Sequence, residues 1–376
     1  MSHAPSAALS RRHEAVRAAM AARGLDALVV TALPNVLYLT NFTGSTAIAV
    51  VDAERVAFLT DSRYATSIEE TRGAPHQCPS LELITVEGSY DARLAETLRG
   101  GSARRVGFEA AHLTVARHDW LTRALGGAVE LASTEGLVEK LRVVKDDHEI
   151  RTLREAARRL SRVVGRAVGA VRRGLTERDI ALAIDSEVRR AGFERAAFDT
   201  IVAGGPHAAL PHAQPGERTI TEGDLVVLDF GGVYDSYCVD LTRTVSVGRA
   251  GPRVREVYDA VRQAHDRAVA AVAPGRSRFD IDRAARESLA LHGLDKAFGH
   301  GTGHGLGIEV HEDPRITRKR PDVDTQDEAV AAGMVFTIEP GAYIPGWGGV
   351  RIEDDILVTT TGCEVLTDFT TDLMEI

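Results

Sequence analysis

The sequence predicts an α/β domain over residues 1–137, a charged connector over 138–150, and an α+β domain over 151–376 built on an internal duplication. Three observations point there. Short apolar runs alternate with helical spacings through the first third of the chain. The segment GLTERDI at 174–180 returns as GRSRFDI at 275–281, 101 positions on. Two apolar runs that end in a carboxylate, LVVLD at 225–229 and VFTIE at 335–339, repeat with it. A chain of 376 residues is also too long for one ordinary core and suits about two domains.

In the first domain, residues 9–22 show helical spacing, with Val16 and Met20 four apart and Gly24 placed as a C-terminal cap. Residues 25–30 read as a buried strand. The runs 46–51 and 55–60 flank Asp52, Ala53 and Glu54, a hairpin signature. Further strands are expected at 81–86 and 105–108, and helices at 92–98 and 115–125, with the domain ending near Glu135. It holds no constellation of ligand-type side chains, so its role is supporting. The connector KLRVVKDDHEI leads into an amphipathic helix over 147–172.

The duplication organises the second domain. Thr176 and Ser277 are placed as N-caps, with Asp179 and Asp280 three residues on in an acidic form of the capping box, and both helices close on glycine, Gly192 and Gly293. Aligning EGDLVVLD at 222–229 with AGMVFTIE at 332–339 makes Asp229 and Glu339 equivalents. Asp240 and Glu353 are each expected at the head of the following strand, and Gly231-Gly232 reads as the break between the first two strands.

Carboxylates at the heart of a sheet are costly unless a cation is shared among them. Asp229, Asp240, Glu339 and Glu353, joined by the imidazole of His304 in Gly303-His304-Gly305, make a five-membered set. Oxygen-rich donors with one nitrogen suit two hard or borderline divalent ions better than a single zinc.

Composition sets the class. A 44% hydrophobic, 26% charged chain with a formal net charge of -9 is that of a soluble protein, and it argues against nucleic acid or an anionic membrane as the main partner. Three cysteines without CxxC spacing, no apolar h-region at the start and no run long enough to span a bilayer point to the cytoplasm.

The segments LPHA (210–213), LDFGGVYDSYCVDLTRT, GHGTGHGLGIEVHEDPR (299–315), TIEPGAY (337–343) and GVRIEDDILVT resemble those of the pita-bread metallopeptidases, the family of methionine aminopeptidase, aminopeptidase P and prolidase. With NVLYLTNFTG (35–44), the resemblance extends to an N-terminal domain of the creatinase and prolidase type. It implies a pita-bread catalytic domain with pseudo-twofold symmetry. It makes Asp229, Asp240, His304, Glu339 and Glu353 the ligands of a dinuclear site, with Asp240 and Glu353 bridging, for manganese, cobalt or zinc. Two such ions can turn a bridging water into hydroxide at neutral pH, and Glu339 is placed to shuttle its proton to the leaving amine. The resemblance also gives His212 and His311 outer roles, near the incoming substrate and as donor to the peptide oxygen.

The surrounding positions are read individually. The alternating glycines of 299–307 suggest an extended strand, in which His300 and His304 share a face about 13 Å apart, so His300 is assigned to the substrate wall rather than to a metal. Arg351, two before Glu353, is expected to orient acidic ligands beside the substrate. Tyr343 is a candidate donor or a core aromatic, and Cys238 a buried thiol. Residues 316–330 read as a polar surface loop near the pocket mouth. Arg315 is expected to grip a substrate carboxylate. The implied activity is cleavage of Xaa-Pro bonds in small proline-containing peptides by a homodimer. Dipeptidase action is favoured, with aminopeptidase P as the competitor. A metal-free creatinase-like hydrolase and a non-catalytic binding module are the remaining readings.

Overall fold

The computed structural model describes residues 3–319 and 328–376. They form two compact units, Met1–Arg142 and Val143–Ile376. The first unit runs α1 (Ser6–Ala21), β1 (Ala27–Val30), α2 (Leu33–Thr40), β2 (Ile48–Asp52), β3 (Val56–Thr60), α3 (Ser62–Glu69), β4 (Leu81–Thr85), α4 (Tyr90–Gly100), β5 (Arg105–Glu109), α5 (Val115–Leu125), β6 (Glu130–Thr134) and α6 (Glu139–Arg142). Its sheet has the order β4-β3-β2-β1-β5-β6. The expected hairpin is β2 and β3, antiparallel with Ile48 opposite Leu59. Asp52 closes it by accepting from Glu54 N and Arg55 N at 2.9 and 2.8 Å. Alternate residues of the strands, among them Val29, Val50, Leu59 and Phe108, bury one face against Leu94, Leu98, Leu121 and Leu125 of α4 and α5.

Four elements of this unit were not expected, α6 among them. Helix α2 is apolar and mostly buried, so it shows no stripe. Its limits are set by Pro34 in the first turn and by Asn41, which takes a left-handed conformation (φ 63°) and bonds Ala4 through its side chain. Helix α3 buries no side chain, and β6 is a largely polar edge strand, so neither presents a run of buried apolar residues.

The second unit continues with α7 (Asp147–Ala170), α8 (Glu177–Arg190), β7 (Arg195–Ala196), β8 (Ile201–Gly204), β9 (Leu225–Tyr234), β10 (Tyr237–Ser246), α9 (Pro252–Ala271), α10 (Arg278–Ala290), β11 (Gly303–Gly305), β12 (Glu312–Ile316), β13 (Val335–Ile338), β14 (Gly341–Ile344), β15 (Gly348–Arg351), β16 (Asp354–Val358), β17 (Cys363–Val365) and β18 (Met374–Glu375). Two sheets, β18-β10-β9-β7 with β8 also on β9, and β12-β11-β13-β16-β17, stand beside the β14-β15 ribbon. α7 packs on β9 and β10, while α9 and α10 cover the second sheet through Tyr258, Val261, Ile281 and Leu289 against Phe336, Ile338 and Ile356.

The duplication holds at the level of single hydrogen bonds. Gly174 N donates to Ile220 O at 3.0 Å and Gly275 N to Val330 O at 2.8 Å. The N-caps form matching bridges, Thr176 with Thr219 and Ser277 with Ala329. Thr176 and Asp179 complete the capping box of α8, whereas Ser277 caps Phe279 N and Asp280 turns to Arg283. Gly231 and Gly232 are not a break. They lie inside β9, which turns into β10 only at Asp235 and Ser236, both at positive φ as a two-residue hairpin requires. A Cβ on Gly231 would stand 2.4 Å from Val239 O, so glycine serves close approach there.

The charged connector expected at 138–150 includes α6 and the start of α7. α6 ends the first unit, and Lys145 has a fully buried side chain whose Nζ lies 3.3 Å from Glu312 Oε2. Nothing in the local sequence marks that pairing, because Glu312 is remote in the chain. Of the loop expected at 316–330, residues 320–327 lie outside the described residues, and Ile316 is a buried strand residue.

Candidate functional site

β9 and β10 deliver the first two carboxylates. Asp229 faces Thr242 and Asp240 faces Gly231 across the ladder, so Asp240 lies within its strand rather than at the head. The second half delivers the rest: His304 from β11, Glu339 directly after β13, and Glu353 between β15 and β16, bridged to Thr242. The Thr242 hydroxyl donates to Glu353 Oε2 at 2.6 Å. Ligand-type atoms of Asp240, His304 and Glu353 come within 4.8 Å of one another. His304 Nε2 stands 3.9 Å from Asp240 Oδ2 and 3.7 Å from Glu339 Oε1. Asp229 joins from the side, held through Oδ2 by Arg351.

His304 Nδ1 lies 3.1 Å from Gly305 O. A carbonyl only accepts, so Nδ1 carries the hydrogen and the Nε2 lone pair faces the carboxylates. Burial, seconded by His311, lowers the His304 pKa to about 3, which keeps the ring neutral. Burial pushes Asp240 well above the usual carboxylate range, with Glu353 and Asp229 adding to it. Glu353 rises for the same reasons, through burial, Glu339 and Asp229. Burial raises Glu339 to about 7, against the pull of Arg351. Among the described residues, Asp229 Oδ1 and Asp240 Oδ1 are buried without a hydrogen-bond partner. Crowded, neutralised carboxyls with unfilled oxygens beside a free imidazole lone pair fit divalent cations, which relieve repulsion and satisfy those oxygens together.

A cavity of about 650 Å³ opens over the cluster. Its wall includes all five residues together with His212, His300, His311, Arg315 and Arg351. The expected strand over 299–307 shrinks to Gly303–Gly305. His300 and His304 therefore do not diverge: His300 Nδ1 reaches within 3.8 Å of Glu339 Oε2, the oxygen that His304 does not face. Hydrogen bonds, not distance, occupy His300. Nδ1 lies 2.8 Å from Gly301 O, and Nε2 lies 2.8 Å from the Tyr343 hydroxyl. Tyr343 is buried behind the wall and receives a bond from Arg351 at 2.9 Å. His212 and His311 are exposed to the cavity, with the His311 ring edge-on to His304 at 4.4 Å. Arg315 is exposed on β12 opposite His304 and makes no ion pair among the described residues.

The profile of metallopeptidase family M24 matches residues 151–360, more than half of the chain. The chain belongs to metallopeptidase family M24. The creatinase/prolidase N-terminal domain profile matches residues 12–144. An uncharacterized peptidase of Bacillus subtilis, YqhT, is 38% identical over 344 residues, covering 92% of this chain and 94% of that protein. Among solved structures, the Xaa-Pro dipeptidase from Bacillus anthracis is 34% identical with a TM-score of 0.91, over 98% of this chain and 100% of that one. The X-Pro aminopeptidase from Thermotoga maritima is 31% identical with a TM-score of 0.87, over 97% and 100%. The M24 unit thus carries its acidic cluster on the pita-bread fold expected from the motifs.

Sequence reasoning missed several supports of the M24 site. Asp355 Oδ2 accepts from Asp240 N at 3.1 Å, and Arg243 donates to Glu353 O at 2.6 Å and Asp354 Oδ1 at 2.8 Å. The only available signal was the period of two in DLTRT and in EDD, which sends Thr242 toward the cluster and Arg243 away from it. Phe198, Asp199 and Ile201, also on the wall, had no signal at all.

Proposed function

We propose that this metallopeptidase hydrolyses Xaa-Pro bonds, with dipeptides as its substrates. The observation that best supports a small substrate with a free carboxylate is Arg315, a guanidinium with no ion pair among the described residues, on the wall of the cavity that holds the acidic cluster. Its planar fork suits both oxygens of a terminal carboxylate. The proline preference is carried over from the similar Xaa-Pro dipeptidase. Asp229, Asp240, His304, Glu339 and Glu353 would hold two divalent ions, for which we propose manganese, with Asp240 and Glu353 shared between them. Such ions, when bound, supply Lewis-acid polarisation of the scissile carbonyl and an acidified water at neutral pH.

The chain's own groups do the rest. Glu339, whose two carboxylate oxygens face His304 and His300, is placed to take up a proton and deliver it to the leaving proline nitrogen. His300 holds its position beside Glu339 through Gly301 and Tyr343, so that carboxylate keeps one orientation. His311, whose pKa is lowered by burial and by Arg315, stays neutral and offers an N–H to the carbonyl oxygen as charge develops, and His212, on the same cavity wall, serves the incoming substrate. Arg351 anchors Asp229. A metal-free hydrolase or a binding module would leave the unpartnered oxygens of Asp229 and Asp240 and the Nε2 lone pair of His304 without a role, which disfavours both. Two free buried thiols, Cys78 and Cys238, support a reducing cytoplasm, and we retain a homodimer, which sedimentation at micromolar concentration checks.

The test is a panel of Xaa-Pro dipeptides, their C-terminal amides and Xaa-Pro tripeptides with added manganese. Arg315→Ala is expected to raise KM for the free dipeptide by about one to two orders of magnitude, the loss of a charge-assisted contact. The amide should change far less. Equal losses on both would make Arg315 structural, and a wild-type preference for tripeptides would favour the aminopeptidase reading, which the Thermotoga maritima likeness keeps in play.

A further inference from the structure

The wall residues that the sequence left unexplained lie on a break in a β ladder. β7 pairs Ala196 with Gly232, Ala197 N donates to Gly231 O at 3.3 Å, and β8 then pairs Ile201 with Asp229. From Gly231 to Asp229 the β9 strand advances two residues while the facing chain advances four. The surplus, within 198–200, bulges out beside the carboxylate of the cluster. Bulges re-aim side chains, and this one is pinned at both ends. Thr200 is buried and its hydroxyl donates to Asp185 Oδ1 at 2.6 Å. The ring of Phe198 lies against Gly231, where a Cβ would meet it at 2.8 Å. Between them Asp199 is left exposed on the cavity wall.

Beyond the acidic cluster and the Arg351 that serves it, the charged residues on that wall are Asp199 and Arg315, and neither side chain forms a hydrogen bond or ion pair among the described residues. They arrive from opposed sheets. Asp199 comes from beside β9 and Asp229, and Arg315 from β12, opposite His304. The cluster lies where these sheets meet, joined by the bridge between Thr242 and Glu353. A peptide whose carboxylate reaches Arg315 is repelled by Asp199 at that end and attracted at the other, so opposite charges at the two sides set its direction.

We propose that Asp199 is a specificity-determining residue, pairing with a positive charge on the residue N-terminal to the scissile bond. That charge can be the α-ammonium or a basic side chain. The inference rests on the peptidase reading given above. The bulge, rather than any motif, supplies the carboxylate.

The experiment compares metal-loaded wild type and Asp199→Asn on Ala-Pro, Lys-Pro and Glu-Pro, reading KM and kcat separately. Asp199→Asn is expected to raise KM by about tenfold for a substrate whose charge it held, with kcat little changed. A rise on Ala-Pro and Lys-Pro alike identifies the α-ammonium. A rise confined to Lys-Pro, with Asp199→Lys then favouring Glu-Pro, identifies the side chain. KM values within twofold of wild type on all three, or a loss in kcat alone, overturn the assignment while the peptidase reading stands. A wild type that cleaves none of the three removes both. Thermal melting of the exposed-site variants confirms that folding is not the cause.

Discussion

A carboxyl group as deeply buried as Asp240 has to be neutral, hydrogen-bonded or matched by a cation. Its Oδ1 has no partner among the described residues, and the basic side chain facing Oδ2 is His304, whose Nε2, 3.9 Å away, presents a neutral ring's lone pair. Function and stability therefore pull apart at this residue. Asp240→Asn removes an anionic ligand, so bound metal, measured by elemental analysis, should fall from about two ions per chain, and kcat/KM by a factor on the order of 10³. Yet in chelator the same variant should melt higher than wild type, because it deletes a member of a repulsive cluster. A variant that keeps its metal, or that melts lower than wild type in chelator, would show that Asp240 is a structural carboxylate.

At the scale of elements, the loop that carries His212 depends on a residue far from it in sequence. Glu177, fully buried at the start of α8, accepts from Gly204 N at 2.9 Å and Gly216 N at 3.2 Å, and meets His207 Nδ1 at 3.0 Å. It thus ties both stems of the 205–215 segment, within which Pro211 O receives Arg351. Glu177→Gln replaces an acceptor with an NH₂ group that faces a donor, so the loop loses a stem. If Glu177 acts through His212, Glu177→Gln should lower kcat about tenfold in wild type and add almost nothing on a His212→Ala background, the signature of coupled residues. Additive losses in that cycle would reduce Glu177 to a fold-stabilising role.

What the sequence could show follows the same division. Caps, glycine stops and apolar strand runs are local, so the duplication and the five cluster residues were legible from spacing within a few positions. Glu177, Lys145, Arg243 and Asp355 act on partners remote in the chain, and a buried charge with a remote partner looks like a solvated one. The surplus within 198–200 exists only as a mismatch between two registers on β9, which no single stretch encodes. The strand expected through His300 was drawn too long because its period was extended across glycines that the structure leaves irregular.

For the whole molecule, the raised carboxyls and the lowered histidines act on stability in different pH ranges. His304 and His300, brought to about 3 and about 4 by burial, cost stability as pH falls below 6.5, where the unfolded chain binds protons that the folded rings refuse. Glu339, Asp240 and Glu353 work in the other direction. Each holds a proton in the folded metal-free chain over a range where the unfolded chain has released it, so raising pH through that range removes stability. Above pH 6.5 the two histidines are already neutral in both states, so within the cluster the carboxyls decide the slope. The chelated protein should therefore lose melting temperature steadily from pH 6.5 to 8. Cations compete with these protons and bind better as they leave, and binding to the native state alone adds stability. His265, raised by its bonds to Asp266 and Asp354 despite burial, contributes a falling slope of its own but lies outside the cluster and is common to both forms. The quantity to measure is thus the difference in melting temperature between metal-loaded and chelated protein, by calorimetry at half-unit steps. It should widen from pH 6.5 to 8. Parallel curves would mean that the cluster's protons are not exchanged for metal, and the ligand set proposed for this site would have to be abandoned.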